Sequence, residues 1–156
     1  MKRNALFYTI ALALVTALAM SLVGCLAPAD TEGSVTVVIG EEGSFDEYEI
    51  SLSEVEITDG VLSLLLYLEE NEGVELDYAN STYGAYINSI GSLSPNSLSG
   101  EFIGVYTSVE ADFDVSAFAS SYEYEGVALC SAGVGVSSLQ VKAGATYLFK
   151  IDTYAG

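Results

Sequence analysis

The residues of this chain best equipped for chemistry are one cysteine and a few tyrosines. Cys25 follows Leu22-Val23-Gly24 and closes a segment that opens on Lys2 and Arg3 and runs apolar from Ala5 to Met20. A basic start, an apolar stretch and a small residue before a cut are the marks of an export signal. The Cys25 thiol stands just after that small residue. The competing reading is an uncleaved anchor, because the apolar run approaches the length of a membrane span. The second set is Tyr83, Tyr86 and Tyr106 with the amide of Asn88. Tyrosine joins an apolar face to a polar tip, which suits contact with a ligand. The same residues also serve as ordinary sheet tyrosines. Gly84 and Gly91 allow a backbone to approach closely in this block. These four residues are the expected ligand contacts.

Catalysis finds little to work with. The chain has no His, so Ser and Cys lack an imidazole partner. Gly126, Gly133 and Gly135 are not followed by Lys-Ser/Thr, as a phosphate loop requires. Zinc needs clustered Cys or His. Carboxylate pairs suited to glycoside hydrolysis arise in any chain with 22 acidic residues. The sequence is therefore read as a non-enzyme with no catalytic residue, no metal and no cofactor. Glu41, Glu42, Asp46 and Glu47 are the densest acidic cluster, but they lack the spacing of a Ca²⁺ loop and read as a solvated turn. Cys130 lies in the apolar stretch Val127–Ala132 and reads as a buried structural thiol.

The segment up to Cys25 resembles the signal peptide and lipobox of bacterial lipoproteins. That resemblance implies a diacylglycerol on the Cys25 sulfur and two acyl chains in a membrane, enough to hold firmly where one does not. Without residues 1–24, 132 of the 156 residues remain, about one domain. Lys142 and Lys150 then face 22 acidic residues, a formal −20. Such a charge excludes DNA and RNA, whose phosphates need Lys and Arg. It also excludes electrostatic attachment to anionic lipid. Disorder does not follow from the acidity, because 51% of the chain is hydrophobic, with 11 Tyr and 6 Phe.

Residues 25–33 read as a tether and 34–156 as the folded domain. Ser34–Ile39 and Tyr48–Leu52 read as a hairpin. A helix follows, capped by Thr58 or Asp59. It carries an apolar face on Val61, Leu62, Leu65, Leu66 and Leu68, and Gly73 sits at its left-handed end. Val74–Tyr78 is extended. Thr82–Gly91 reads as a loop or broken strand, and Leu93–Gly100 as a loop. Phe102–Val109, Tyr122–Leu129 and Thr146–Ile151 read as strands, with Val136–Gly144 a short capped segment ending in a tight turn. Strand pairs around one helix give an α+β fold of small mixed sheets packed on that helix.

Four blocks from Val61 to Phe149 resemble the transcobalamin-like C-terminal domain. They are the Leu-rich helix Val61–Leu68, the run TYGAYINSIG at Thr82–Gly91, the Gly-containing Gly133–Leu139 and VKAGATYLF at Val141–Phe149. The departures are a middle strand, GEFIGVYTS at Gly100–Ser108, without the family's Trp and Asn-Gly, extra residues between Val109 and Ala132, and Ala145 in place of an Asp. The resemblance implies a β-grasp-like fold and recognition of a ligand. In animal cobalamin carriers this domain forms one wall of the corrinoid pocket and an α/α barrel the other; no barrel is read here. The functional expectation is a lipid-anchored binding module on the extracytoplasmic face of the cell membrane, accessory to uptake of a small, corrinoid-like molecule. The alternative is a structural or adhesive surface domain that binds protein or glycan.

Overall fold

The computed structural model describes residues 29–82 and 84–154. It is a mixed α+β fold built mostly of strands. Cys25, Tyr83 and most of the signal and tether lie outside the described residues.

The first hairpin forms as its alternation dictates. β1 (Ser34–Glu41) and β2 (Ser44–Ser51) pair antiparallel in full register. Val35, Val37 and Ile39 of β1 enter the main core, and Val38 points to the opposite face. β2 is an edge strand, and its exposed Asp46, Glu47 and Glu49 discourage pairing with another chain. Of the acidic cluster, Glu42 stands in the hairpin turn and Glu41, Asp46 and Glu47 on the flanking strands, all exposed.

The helix α1 (Leu62–Glu72) buries Leu62, Leu64, Leu65 and Leu68. Each contributes roughly 1.5–3 kcal/mol by leaving water. Leu66 departs from expectation. It is 37% exposed while Leu65 is 1% exposed. The core arc follows Val61, Leu64, Leu65 and Leu68, and a residue one step beyond Leu65 turns about 100° away from it. The helix start also differs. Val61 holds the cap position without a side-chain bond. The Ser63 hydroxyl instead accepts from the Thr58 and Asp59 amides at 3.1 and 2.9 Å. The Val136 carbonyl accepts from Val61 N–H at 2.9 Å. A distant loop thus satisfies the first turn that Thr58 or Asp59 was expected to cap. Gly73 ends the helix at φ 70°, its amide bonded to the Leu68 carbonyl.

β3 (Leu76–Ser81) and β4 (Gly84–Ile90) form a separate two-stranded sheet, so Thr82–Gly91 is a strand in larger part than a loop. A bulge leaves Asn88 without a cross-strand partner. The remaining strands are β5 (Glu101–Thr107), β6 (Ser121–Tyr124), β7 (Val127–Ser131) and β8 (Thr146–Thr153). Tyr122–Leu129, expected as one strand, is a hairpin. The chain reverses at Glu125 and Gly126, both at positive φ. With β1 and β2 these strands form a six-stranded sheet in the order β2-β1-β8-β5-β7-β6. β1 and β8 are parallel and the other neighbours antiparallel.

That sheet has a core on each face. Tyr147 and Phe149 of β8 join the helix side, while Leu148 packs with Val38, Tyr106 and Leu129 on the other. Phe45 of β2 closes the second core against Tyr124 and Tyr122 of β6, with ring centroids 5.4 and 6.2 Å apart. Those are the two edge strands, so the sheet curls until its edges meet. Val136–Gly144 has no regular structure and is held by side chains. Buried Asp112 accepts from the Gln140 backbone and side-chain amides at 2.7 and 3.1 Å, and the Tyr147 hydroxyl donates to the Gln140 carbonyl at 2.6 Å. Asp30, in the expected tether, accepts from Ala143 N–H at 2.8 Å. Cys130 is half-buried, not fully buried, with its thiol beside the Asp114 carbonyl. No described helix is long and apolar enough to cross a membrane.

Candidate functional site

β8 carries the polar residues of the site. Leu148, Lys150 and Asp152 share one face because side chains alternate along a strand. Asp152 stands opposite Phe102 of β5, and its carboxylate leans over the partner of Lys150, Gly104. A Cβ there would stand 2.0 Å from the Asp152 carboxylate, so only glycine leaves room. The carboxylate accepts from the Tyr106 hydroxyl at 2.8 Å and is paired with the Lys150 ammonium. The Tyr106 hydroxyl also lies 3.1 Å from Ser120 Oγ. Lys150 lies over the rings of Tyr106 and Tyr122, at 5.3 and 5.9 Å from their centroids. Burial opposes the charge on Lys150, but Asp152 and the two rings outweigh it and raise its pKa. Burial, followed by the Asp152 carboxylate, raises the Tyr106 pKa, against a hydrogen bond to Ser120 that lowers it.

Beside this cluster lies a groove of about 310 Å³. Ala85, Tyr86 and Ile87 of β4 form one wall and Phe102–Val105 of β5 the other, with Asp114 and Phe118 from the loop before β6 at its mouth. An adjoining hollow of about 640 Å³ shares Phe102, Phe118, Ser120 and Asp152 and adds Tyr106 and Tyr154. Phe102 and Tyr154 stack at 4.4 Å. The rim is unusually apolar for a surface: Phe118 is 91%, Tyr154 69% and Tyr86 53% exposed.

The expected contacts fall in different places. Tyr86 lines the groove. Asn88 is exposed on the same strand but does not line it. Tyr106 is 3% exposed and forms the floor of the adjoining hollow, its hydroxyl engaged by Asp152 and Ser120. Sequence reasoning missed Phe102, Phe118, Asp152 and Tyr154. One signal was present. Gly104 interrupts the strand run Phe102-Ile103-Gly104-Val105, and a lone glycine in a strand marks the close approach of another group.

The lining supplies aromatic faces and carboxylates without a base-activated nucleophile. Such a surface recognises by contact, and favours neutral or cationic ligands over anions. Among the described residues no group of three His, Cys, Asp or Glu side chains converges as a metal needs.

No protein-family model matches the chain, and no curated protein sequence does. Solved structures do match. Haptocorrin in complex with Cbi is 14% identical with a TM-score of 0.56, over 85% of this chain and 29% of that one. The chain thus spans under a third of haptocorrin's length. A protein from Ruminococcus gnavus ATCC 29149, named as a candidate metal binder, is 11% identical with a TM-score of 0.53, over 80% of this chain and all of that one. At these identities the likeness is one of fold, and this chain shares the fold of a haptocorrin segment.

Proposed function

We propose that the chain is a lipid-anchored, extracytoplasmic binding module that presents the groove between β4 and β5 as its recognition surface. The observation that carries the reading is the set of exposed Phe118, Tyr86 and Tyr154 around the groove and its adjoining hollow, with carboxylates in the lining. Exposed apolar patches rimmed by polar groups mark interaction sites, and pockets of roughly 300–1,000 Å³ accommodate small ligands. The hairpin β1–β2, the helix α1 and the parallel β1–β8 pair support a β-grasp-like description. The haptocorrin likeness supports a small, corrinoid-like molecule as the ligand, and an accessory role in its uptake is the reading adopted for such a module. The groove then supplies one wall of the site, and the module has no catalytic role.

Two measurements test this. Calorimetry of the chain with corrinoids, glycans and cell-wall fragments should find a binder, and Tyr86→Ala with Phe118→Ala should weaken it at least tenfold. A double variant with unchanged circular dichroism and unchanged affinity moves the site elsewhere. For the anchor, Cys25→Ser should abolish incorporation of a fatty-acid probe in cells. Equal labelling of variant and parent overturns the acylation.

A second reading, a protein partner, is favoured by the length of β5 before Tyr106, which β7 leaves unpaired along the groove.

A further inference from the structure

Alternate residues of an antiparallel strand turn their backbone groups to opposite sides. In β5 the phase is fixed at both ends. Ser108 N–H donates to the Thr146 carbonyl at 3.0 Å, toward β8, and the Val105 carbonyl accepts from Ala132 N–H at 2.8 Å, on the other side. Odd-numbered residues of β5 therefore face away from β8. On that side β7 pairs only with Tyr106 and Thr107, and Ala132 makes the last bond before the chain leaves. At the far end Glu101 N–H donates to the Asn96 carbonyl at 3.2 Å. Between these points stand the Glu101 carbonyl, both backbone groups of Ile103 and the Val105 N–H. Among the described residues none of them has a hydrogen-bond partner. Ile103 is 8% exposed, and backbone groups at such depth are nearly always paired. They open on the groove.

We propose that an extended peptide of a partner protein fills this lane, adding to β5 as a strand collinear with β7. The inference rests on the groove being the binding site and names the chemistry of its occupant. Donor and acceptor together at Ile103, with further groups two residues away on either side, match the ~6.7 Å two-residue repeat of an extended backbone. The guest's side chains are basic or neutral. Asp114 and Asp152 line the groove and no basic side chain does. Asp152 is paired with Lys150, while the Asp114 carboxylate accepts only from Ser116 and has no cationic partner among the described residues. Exposed Phe118 and Tyr86 stand at either side to cover the guest's apolar residues.

The test uses the full chain in mild detergent and a synthetic peptide, Lys-Val-Thr-Val-Lys-Thr-Val, followed by fluorescence anisotropy and amide hydrogen exchange. Binding is expected, with slowed exchange at Ile103 and Val105. N-methylation of alternate peptide nitrogens should weaken it more than tenfold, and Glu in place of Lys should weaken it severalfold. Asp114→Asn should reduce the preference for Lys over Glu. No binding at millimolar peptide, tolerance of N-methylation, or binding without protection at Ile103 overturns the proposal. Corrinoid or glycan binding that persists with such a failure leaves the groove as the site and removes only the peptide. If neither peptide nor small molecule binds, the reading of the groove falls as well.

Discussion

Gly104 is the residue on which the site turns. Its missing side chain admits Asp152, which in turn holds Tyr106 and Lys150. The carboxylate cannot move aside without breaking both contacts. Gly104→Ala should therefore destabilise the fold by about 1–3 kcal/mol, the usual cost of overpacking a closed site. A denaturant midpoint equal to the parent's would show that Asp152 has room to spare. Two other tyrosines set the behaviour at high pH. Burial, and then the Glu47 hydrogen bond, pushes Tyr124 up to about 12. Burial likewise lifts Tyr147 to about 12, against a backbone hydrogen bond from Lys142 that lowers it. The folded state holds these protons more tightly than the unfolded chain, whose tyrosines ionise near 10. Their contribution to stability is whole below pH 10 and disappears as pH rises through about 12. Denaturation midpoints measured from pH 8 to 12 should be level at first and fall above 10. Tyr124→Phe should make the fall shallower. A curve that drops equally in that variant would assign the effect to other groups.

At the scale of elements, periodicity located the hairpin, the helix and β8, because each carries enough apolar residues to declare its period. It could not fix the helix phase from leucines alone. Leucine at 62, 64, 65, 66 and 68 spreads over an arc of about 200°, and the sheet beneath chooses which part of it to cover. Leu65→Ala should cost about 2–5 kcal/mol, and Leu66→Ala clearly less because part of that side chain already meets water. Equal losses in urea unfolding would contradict the packing. The β6–β7 hairpin escaped notice because Glu125 takes a left-handed conformation that Asn or Gly usually signals. The helix cap escaped because its acceptors come from Ser63 inside the helix and Val136 far along the chain. Part of the site was legible: Tyr86 stood out by its setting among glycines. Phe102, Phe118, Asp152 and Tyr154 come from separate segments that only the sheet order brings together, and no local pattern announces them.

The whole molecule has two ends. The chain enters beside Ala143 and Ser34, where β1 and β8 begin, and the groove residues Phe102, Asp152 and Tyr154 lie toward the opposite end of β8. β8 runs from Thr146 to Thr153, so the two ends are separated by roughly 20 Å at strand spacing. With the proposed anchor ahead of β1, the groove residues would face away from it. The parallel pairing of β1 with β8 has a mechanical consequence. A pull on the chain ahead of Ser34, opposed by a pull on a partner gripping the groove, slides β1 along β8. Every rung from Thr36–Thr146 to Ile39–Phe149 is then strained at once in shear, where a hairpin opened from its end would unzip one rung at a time. In the proposed anchored module, the strand order that buries the core would also have the geometry of a tensile coupling between anchor and ligand.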